Sequence, residues 1–342
     1  MKTYNLALIG FGNVGRCLVR LLLDKRAELR ERYLMDWRIT GVATRRMGWN
    51  ADAGGLDAEK LLSGGSLAAA GSKNTCGGPG TVRNWLAAAR ADVLFELSSM
   101  NPETGEPALD HLSAALESGT HAITANKGPV VHGYHRLREL AQKAGKRFFF
   151  EATVMGGTPI FSLFRETLPA ARLLGFSGLL NSTTSVILHE MEQGRSYDAA
   201  VQKAQAMGIA ETDPSNDVDG WDAALKLAIL ANVLMEMPLK PRDIPRRSIR
   251  EISAEQLRAA RAAGKRIRMV ARMGRAANGQ PLAAVGPEEL APGDPLVAGD
   301  PTSGILHFEL DTLHGLTVVS HRQGPDTTAY GCFADFINAV KS

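Results

Sequence analysis

The stretch from Tyr4 to Gly15 constrains this chain more than any other. An apolar run, Tyr4 to Ile9, ends directly in Gly10-Phe11-Gly12-Asn13-Val14-Gly15, and apolar residues then recur at helical spacing through Leu18, Leu21 and Leu22. A strand that stops on a G-x-G-x-x-G turn and restarts as a helix is the context in which that motif holds a dinucleotide. Gly10 permits the sharp turn. Gly12 leaves no side chain between backbone and pyrophosphate, and Gly15 lets helix and strand approach closely. Asn13 and Val14 sit at the helix terminus, whose unpaired N–H groups face an anion. The competing reading is a tight glycine turn without a ligand.

Further strand and helix signals alternate behind the motif. A helix is expected over Arg16–Leu34, strands over Arg38–Ala43 and Ala91–Leu97, and a helix over Pro107–Ser118. Then come a strand over Thr120–Ala125, a helix over His132–Ala144 and a strand over Lys146–Ala152. Repeated β-α-β with short connections predicts a doubly wound parallel sheet of the Rossmann type. Beyond Ala152 the texture changes to a glycine-rich loop, Thr153–Pro159, then helices and short strands. An α+β region is expected there, closed by an amphipathic helix over Thr328–Val340. The resulting division is residues 1–150 with 324–342 for the dinucleotide, and residues 151–323 for catalysis and dimerisation.

Composition excludes several classes. Lys and Arg exceed Asp and Glu by only 39 to 36, and aromatics make up 6%. That is too balanced and too poor in stacking surface for a nucleic-acid protein. The three cysteines, Cys17, Cys76 and Cys332, lie far apart and suit neither a disulfide framework nor a zinc site. No apolar stretch approaches the ~20 residues needed to span a membrane. A cytoplasmic setting is expected.

Two constellations carry chemistry. At the end of the second strand, where NAD enzymes usually place a carboxylate for the ribose 2′-hydroxyl, the run is Ala43-Thr44-Arg45-Arg46. Two guanidiniums there suit a 2′-phosphate and favour NADP over NAD, unless they form only a solvated basic turn. Further on, Glu211-Thr212-Asp213-Pro214-Ser215-Asn216-Asp217 leads into an apolar helix with Asp222 and Lys226 at i and i+4. They share a helix face. A charged pair near the start of a buried helix needs partners, which a charged substrate would provide; the bland alternative is an ordinary surface pair. Lys127 follows a predicted parallel strand, at the edge where open α/β sheets bind ligands. The glycines of Glu151-Ala152-Thr153-Val154-Met155-Gly156-Gly157-Thr158-Pro159 suggest a backbone held close to the nicotinamide or an ion, or else a hinge.

In this order, together with Leu180-Asn181-Ser182-Thr183-Thr184 and the closing helix, these motifs resemble homoserine dehydrogenase along nearly the whole chain. The resemblance is to the short form, without a C-terminal ACT domain or fused kinase. It implies hydride transfer between L-homoserine and L-aspartate 4-semialdehyde with NAD(P), in amino-acid biosynthesis. By position, Lys226 and Lys127 would flank the reacting oxygen, one as proton carrier, and Asp222 would orient lysine or substrate. Glu211 and Asp217 would hold the substrate ammonium. Glu151 and the carbonyls of Val154, Gly156 and Thr158 would form a monovalent-cation site, for sodium for example. Ser98 and Asn126 would line the nicotinamide and ribose region, and Gly324 would belong to the last glycine turn at the cofactor. A homodimer through the second region's strands is also implied.

The chain departs from the family at Ser182, Ser185 and Val186, at Gln323-Gly324-Pro325-Asp326 and at Arg45-Arg46. The first departures keep open a related dehydrogenase of another small hydroxy acid or hydroxy amino acid. A non-catalytic NADP-binding protein predicts decayed catalytic positions, whereas Lys127, Glu211, Asp217, Asp222 and Lys226 are all present. No cysteine occurs between residues 77 and 331 to serve a thioester-forming semialdehyde dehydrogenase.

Overall fold

The structure is a computed structural model that describes residues 1–64, 79–276 and 279–341. Cys76 and the Ala68-Ala69-Ala70 run lie outside the described residues. The chain divides into two compact units, Met1–Phe161 with Gly324–Ser342, and Ser162–Gln323.

The first unit begins with β1 (Lys2–Ile9), α1 (Asn13–Asp24), α2 (Arg26–Tyr33), β2 (Met35–Thr44), β3 (Gly48–Leu56) and α3 (Ala58–Ser63). It continues with α4 (Pro79–Ala89), β4 (Val93–Glu96), α5 (Ala108–Glu117), β5 (His121–Thr124), α6 (Lys127–Ala144), β6 (Phe148–Phe149) and α7 (Ala152–Met155). The sheet order is β3-β2-β1-β4-β5-β6. All pairs are parallel except β2 with β3. The expected doubly wound sheet is therefore present.

A parallel sheet must be covered on both faces, and β1 shows how. Leu6 and Leu8 pack with Leu18, Leu22 and Phe95 on one face. Ala7 and Ile9 pack with Val82, Trp85 and Leu94 on the other. Register brings the strand ends level: Ile9 lies opposite both Ala43 and Glu96, and Glu96 opposite Thr124. Gly10, Arg45, Ser98 and Asn126 consequently leave the same carboxyl edge.

Three expectations change here. The helix over Arg16–Leu34 is two helices, broken at Lys25. The antiparallel edge strand β3, joined to β2 by a hairpin, is additional to the expected elements. The strand over Lys146–Ala152 shrinks to Phe148–Phe149, and part of the expected loop Thr153–Pro159 is helical in α7.

The second unit contains β7 (Leu173–Leu179), α8 (Ser182–Glu192), α9 (Tyr197–Ala206), α10 (Ser215–Val218), α11 (Trp221–Leu234) and α12 (Ala254–Ala262). After them come β8 (Arg266–Arg275), β9 (Pro281–Leu290), β10 (Gly304–Leu310) and β11 (Leu316–Ser320). Its strands form one antiparallel sheet in the order β11-β10-β7-β8-β9. Apart from Asp222, Lys226 and Asn232, α11 is apolar, and it is buried from Ala223 to Leu225 and from Leu227 to Asn232, as expected of a core helix. The last helix, α13 (Pro325–Val340), belongs to the first unit. Its Ala329, Cys332, Phe333, Phe336 and Ile337 join the cluster of Leu8 and Leu18.

Candidate functional site

The glycine turn has the geometry of a phosphate cradle. Gly10 takes φ +94°, and a Cβ there would meet the Leu97 carbonyl oxygen at 2.4 Å, so only glycine makes this turn. A Cβ on Gly15 would stand 3.0 Å from the Gly10 carbonyl oxygen, which sets the close packing of helix and turn. A Cβ on Gly12 would meet nothing within 4 Å. The space beside Gly12 is thus open, and no side chain caps the terminus of α1. The first N–H groups of α1, Asn13 and Val14 among them, suit the anion of a dinucleotide.

Arg45 and Arg46 lie exposed in the hairpin turn between β2 and β3. The turn is held by Thr44, whose Oγ1 accepts from the Met47 N–H at 2.9 Å. At the next strand ends, the Ser98 carbonyl accepts from Asn126 Nδ2 at 3.3 Å. Asn126 also caps α6: its Oδ1 accepts from the Gly128 N–H at 3.1 Å. Lys127 is the first residue of that helix and is half-buried.

The segment after β6 wraps around Glu151. Glu151 Oε1 accepts from the Ile160 and Phe161 N–H groups at 2.6 and 2.7 Å. The Glu151 N–H donates to Asp335 at 2.8 Å. The Thr158 carbonyl accepts from Ile160, and the Gly156 carbonyl oxygen faces Gly331, where a Cβ would come within 2.9 Å. With Val154, these supply only oxygens, the donor chemistry of a hard cation. A Cβ on Gly157 would sit 2.6 Å from the Thr327 carbonyl oxygen and 2.7 Å from the Tyr330 ring. The backbone is close to α13. At the start of α13, Gly324 exchanges hydrogen bonds with Thr327.

In the second unit the acidic loop and the lysine form one network. Lys226 Nζ donates to the Leu180 carbonyl at 2.6 Å and sits 2.8 Å from Asp222 Oδ2. Its side chain is 13% exposed and that of Asp222 is 19% exposed, which decides against an ordinary surface pair. Asn181 joins the two carboxylates: its Nδ2 donates to Asp217 at 2.6 Å and to Asp222 at 3.0 Å. Its Oδ1 accepts from the Thr184 N–H at 2.9 Å and caps α8. Burial first, and the charge of Asp222 second, raise the pKa of Asp217, against the opposing hydrogen bonds from Asn181 and Thr183 and the charge of Lys226. The loop itself is pinned by Asp219, whose Oδ1 accepts from Ser248 and Arg250 at 2.7 and 3.1 Å.

Among the sequence-derived candidates, the fold therefore unites Asp217, Asp222 and Lys226. Glu211 is exposed on the loop, with its carbonyl accepting from Gln205. Its carboxylate is not one of the Asn181 partners. Asn181 and the Leu180 carbonyl were not among the candidate site residues. The available signal was an asparagine standing between an apolar strand and a helix, a capping position.

Comparison with known proteins adds to this geometry. Residues 10–151 match the family described as "Homoserine dehydrogenase, NAD binding domain", and residues 159–337 that described as "Homoserine dehydrogenase". An NAD(+)-dependent homoserine dehydrogenase of Pseudomonas canavaninivorans is 32% identical over 100% of this chain and 97% of its own. A homoserine dehydrogenase of Methanocaldococcus jannaschii is 33% identical over 99% of each chain. The solved structure of a hyperthermophilic archaeal homoserine dehydrogenase in complex with NADPH matches with TM-score 0.80 and 27% identity, over 99% of this chain and 98% of that one.

Proposed function

The chain belongs to the homoserine dehydrogenase family of NAD(P)-dependent oxidoreductases, and from that premise we propose how its residues divide the work of interconverting L-homoserine and L-aspartate 4-semialdehyde. The observation that carries the proposal is the network of Lys226, Asp222, Asn181 and Asp217.

The nicotinamide, when bound, supplies or accepts the hydride. What remains for the protein is one proton at the substrate oxygen, the grip on an amino acid, and the placement of the cofactor. Lys226 moves the proton. It donates to the carbonyl oxygen during aldehyde reduction and takes the hydroxyl proton during alcohol oxidation. The Leu180 carbonyl and Asp222 hold its Nζ in one place, and such fixed placement is itself a large part of a rate. Lys127, fixed at the start of α6, is the second lysine assigned to this oxygen.

Asp217 and Glu211 bind the substrate ammonium. The raised pKa of Asp217 gives a physical reason. An arriving ammonium offsets the burial and the Asp222 charge that disfavour its ionised form, so substrate binding and ionisation of Asp217 reinforce each other.

Gly10, Gly12, Asn13, Val14 and Gly15 take the pyrophosphate, Arg45 and Arg46 the 2′-phosphate of NADP, and Ser98, Asn126 and Gly324 the nicotinamide end. The Arg45-Arg46 turn supports NADP as the preferred cofactor. Glu151, Val154, Gly156 and Thr158 bind a monovalent cation, whose charge would tie their carbonyls together. Residues 151–323 serve catalysis and dimerisation, and residues 1–150 with 324–342 the cofactor. Among the described residues no helix is long and apolar enough to cross a membrane. We assign the protein to the cytoplasm, as a homodimer joined through the second sheet.

The test is Lys226→Ala. With wild-type NADPH binding by fluorescence, kcat for homoserine oxidation should fall by at least ~100-fold. Wild-type turnover by a folded variant would overturn the assignment, and a panel of small hydroxy acids run beside homoserine tests the substrate.

A further inference from the structure

β4 is apolar at Val93, Leu94 and Phe95 and then ends on Glu96, which is 0% exposed. A carboxylate buried that completely needs donors, and those it has are specific. Glu96 Oε1 accepts from the Ser98 N–H at 3.2 Å and from the Ser98 hydroxyl. The Thr124 hydroxyl donates to the Glu96 carbonyl at 2.9 Å and lies 3.4 Å from Oε2. His111 Nδ1 stands 3.5 Å from Oε1, an ion-pair distance and not a hydrogen bond.

Two routes run outward from Glu96 and meet. Ser98 passes to Asn126 through its carbonyl, and Thr124 passes to Asn126 by accepting its N–H at 2.9 Å. The ring closes on the residue that caps α6 and precedes Lys127. Glu96 therefore ties the turn after β4 to the turn after β5, through its carboxylate at Ser98 and through its carbonyl, with Oε2 at the edge of reach, at Thr124.

We propose that Glu96 is a positioning residue, which clamps Ser98 and the Asn126-Lys127 turn in one arrangement for the cofactor and the reacting end of the substrate. This rests on the assignment of Ser98, Asn126 and Lys127 made above. Glu96 itself, 0% exposed, has no surface to offer cofactor or substrate. Its effect is to remove freedom from two turns that follow different strands, which converts into rate and cofactor affinity because small misplacements at a reacting centre are costly.

The experiment compares Glu96→Ala, Glu96→Gln and Thr124→Val with the wild type, by NADPH fluorescence titration, by homoserine turnover and by thermal midpoint. Glu96→Ala should raise the cofactor KM and lower kcat, each roughly tenfold. Glu96→Gln keeps an oxygen for Ser98 and an amide for Thr124 and should restore both to within about threefold. Thr124→Val, nearly isosteric, cuts only the route through β5 and should lower kcat more than it raises the cofactor KM. Should Glu96→Ala not fold, the Gln and Val variants carry the test. Folded Glu96→Ala with wild-type kcat and cofactor KM overturns the proposal, as does a Glu96→Gln no better than Glu96→Ala, or a Thr124→Val whose kcat equals the wild type. Wild-type protein that binds NADPH but leaves homoserine untouched refutes the functional assignment instead, whatever the Glu96 variants do.

Discussion

Asn181→Ala removes the donor that Asp217 and Asp222 share. Three hydrogen bonds disappear, two to carboxylates at 2.6 and 3.0 Å and one cap on α8 at 2.9 Å. Bonds to charged acceptors are worth about 1.5–3 kcal/mol each. The cap adds about 1 kcal/mol. These bonds share one side chain and reach partly solvated carboxylates, so together they contribute less than the sum of their low-end values, about 3 kcal/mol in all. At 2–4 °C per kcal/mol for a domain of this size, the thermal midpoint should drop by about 6–12 °C near neutral pH.

The pH dependence sharpens the test. In the folded protein the pKa of Asp217 is raised by burial first and then by the Asp222 charge, while Asn181 pulls it down. A raised folded pKa gives stability that is fully present below the unfolded carboxylate value and is lost as pH rises through the folded one. Without Asn181 the folded pKa climbs further, and more stability is lost on the alkaline side. The deficit of the variant should therefore be smallest in acid and grow with pH. Thermal unfolding followed by intrinsic fluorescence between about pH 4 and pH 8 reads this directly. A deficit that is flat, or that shrinks as pH rises, would refute the claim that the Asn181 amide favours the ionised form of Asp217.

Arg45→Ser with Arg46→Ser should raise the KM for NADP about tenfold and leave the KM for NAD nearly unchanged, because only NADP carries the 2′-phosphate; equal effects on both cofactors would remove the arginines from recognition. Asp36 offers a second pH test. Burial pushes its pKa up, but hydrogen bonds from Arg30, Arg26 and the Trp37 N–H outweigh it and hold the carboxyl at about 2. A depressed folded pKa gives stability that is present above the unfolded value and lost as pH falls through the folded one. Asp36→Asn should then cost about 1–2 kcal/mol at neutral pH, with the cost fading between about pH 4 and pH 2. Denaturant midpoints showing the same cost at both ends of that range would exclude the ion pair as its source.

What could be read from the residues was what neighbours in sequence decide. β1, the glycine turn and α1 are contiguous, and their spacing alone carries both fold and site. Asp222 and Lys226 share a helix face by arithmetic. β3 escaped, because Asp52, Gly54 and Gly55 are poor strand formers, and its place depends on pairing with β2 and on the Trp49 ring edge against Trp85. Asn181 escaped for a similar reason. Its capping position was visible, but Asp217 and Asp222 stand 36 and 41 residues away, and no local pattern announces that they meet. The glycines at 156 and 157 did announce a close approach, though sequence could not say that the object approached was α13.

That last helix has a consequence for how the protein is made. The chain emerges from the ribosome from its amino end, so Leu8, Leu18 and Phe95 are synthesised long before Phe333, Phe336 and Ile337, with which they share one core. Until Pro325–Val340 is free of the exit tunnel, the nascent nucleotide-binding unit presents an apolar face that this helix will later cover. The whole of residues 162–323 is translated during that wait. Folding of the first unit is then timed by the emergence of α13, and a chain stalled before it is a substrate for chaperones and proteases even when every residue of the dinucleotide cradle is already in place.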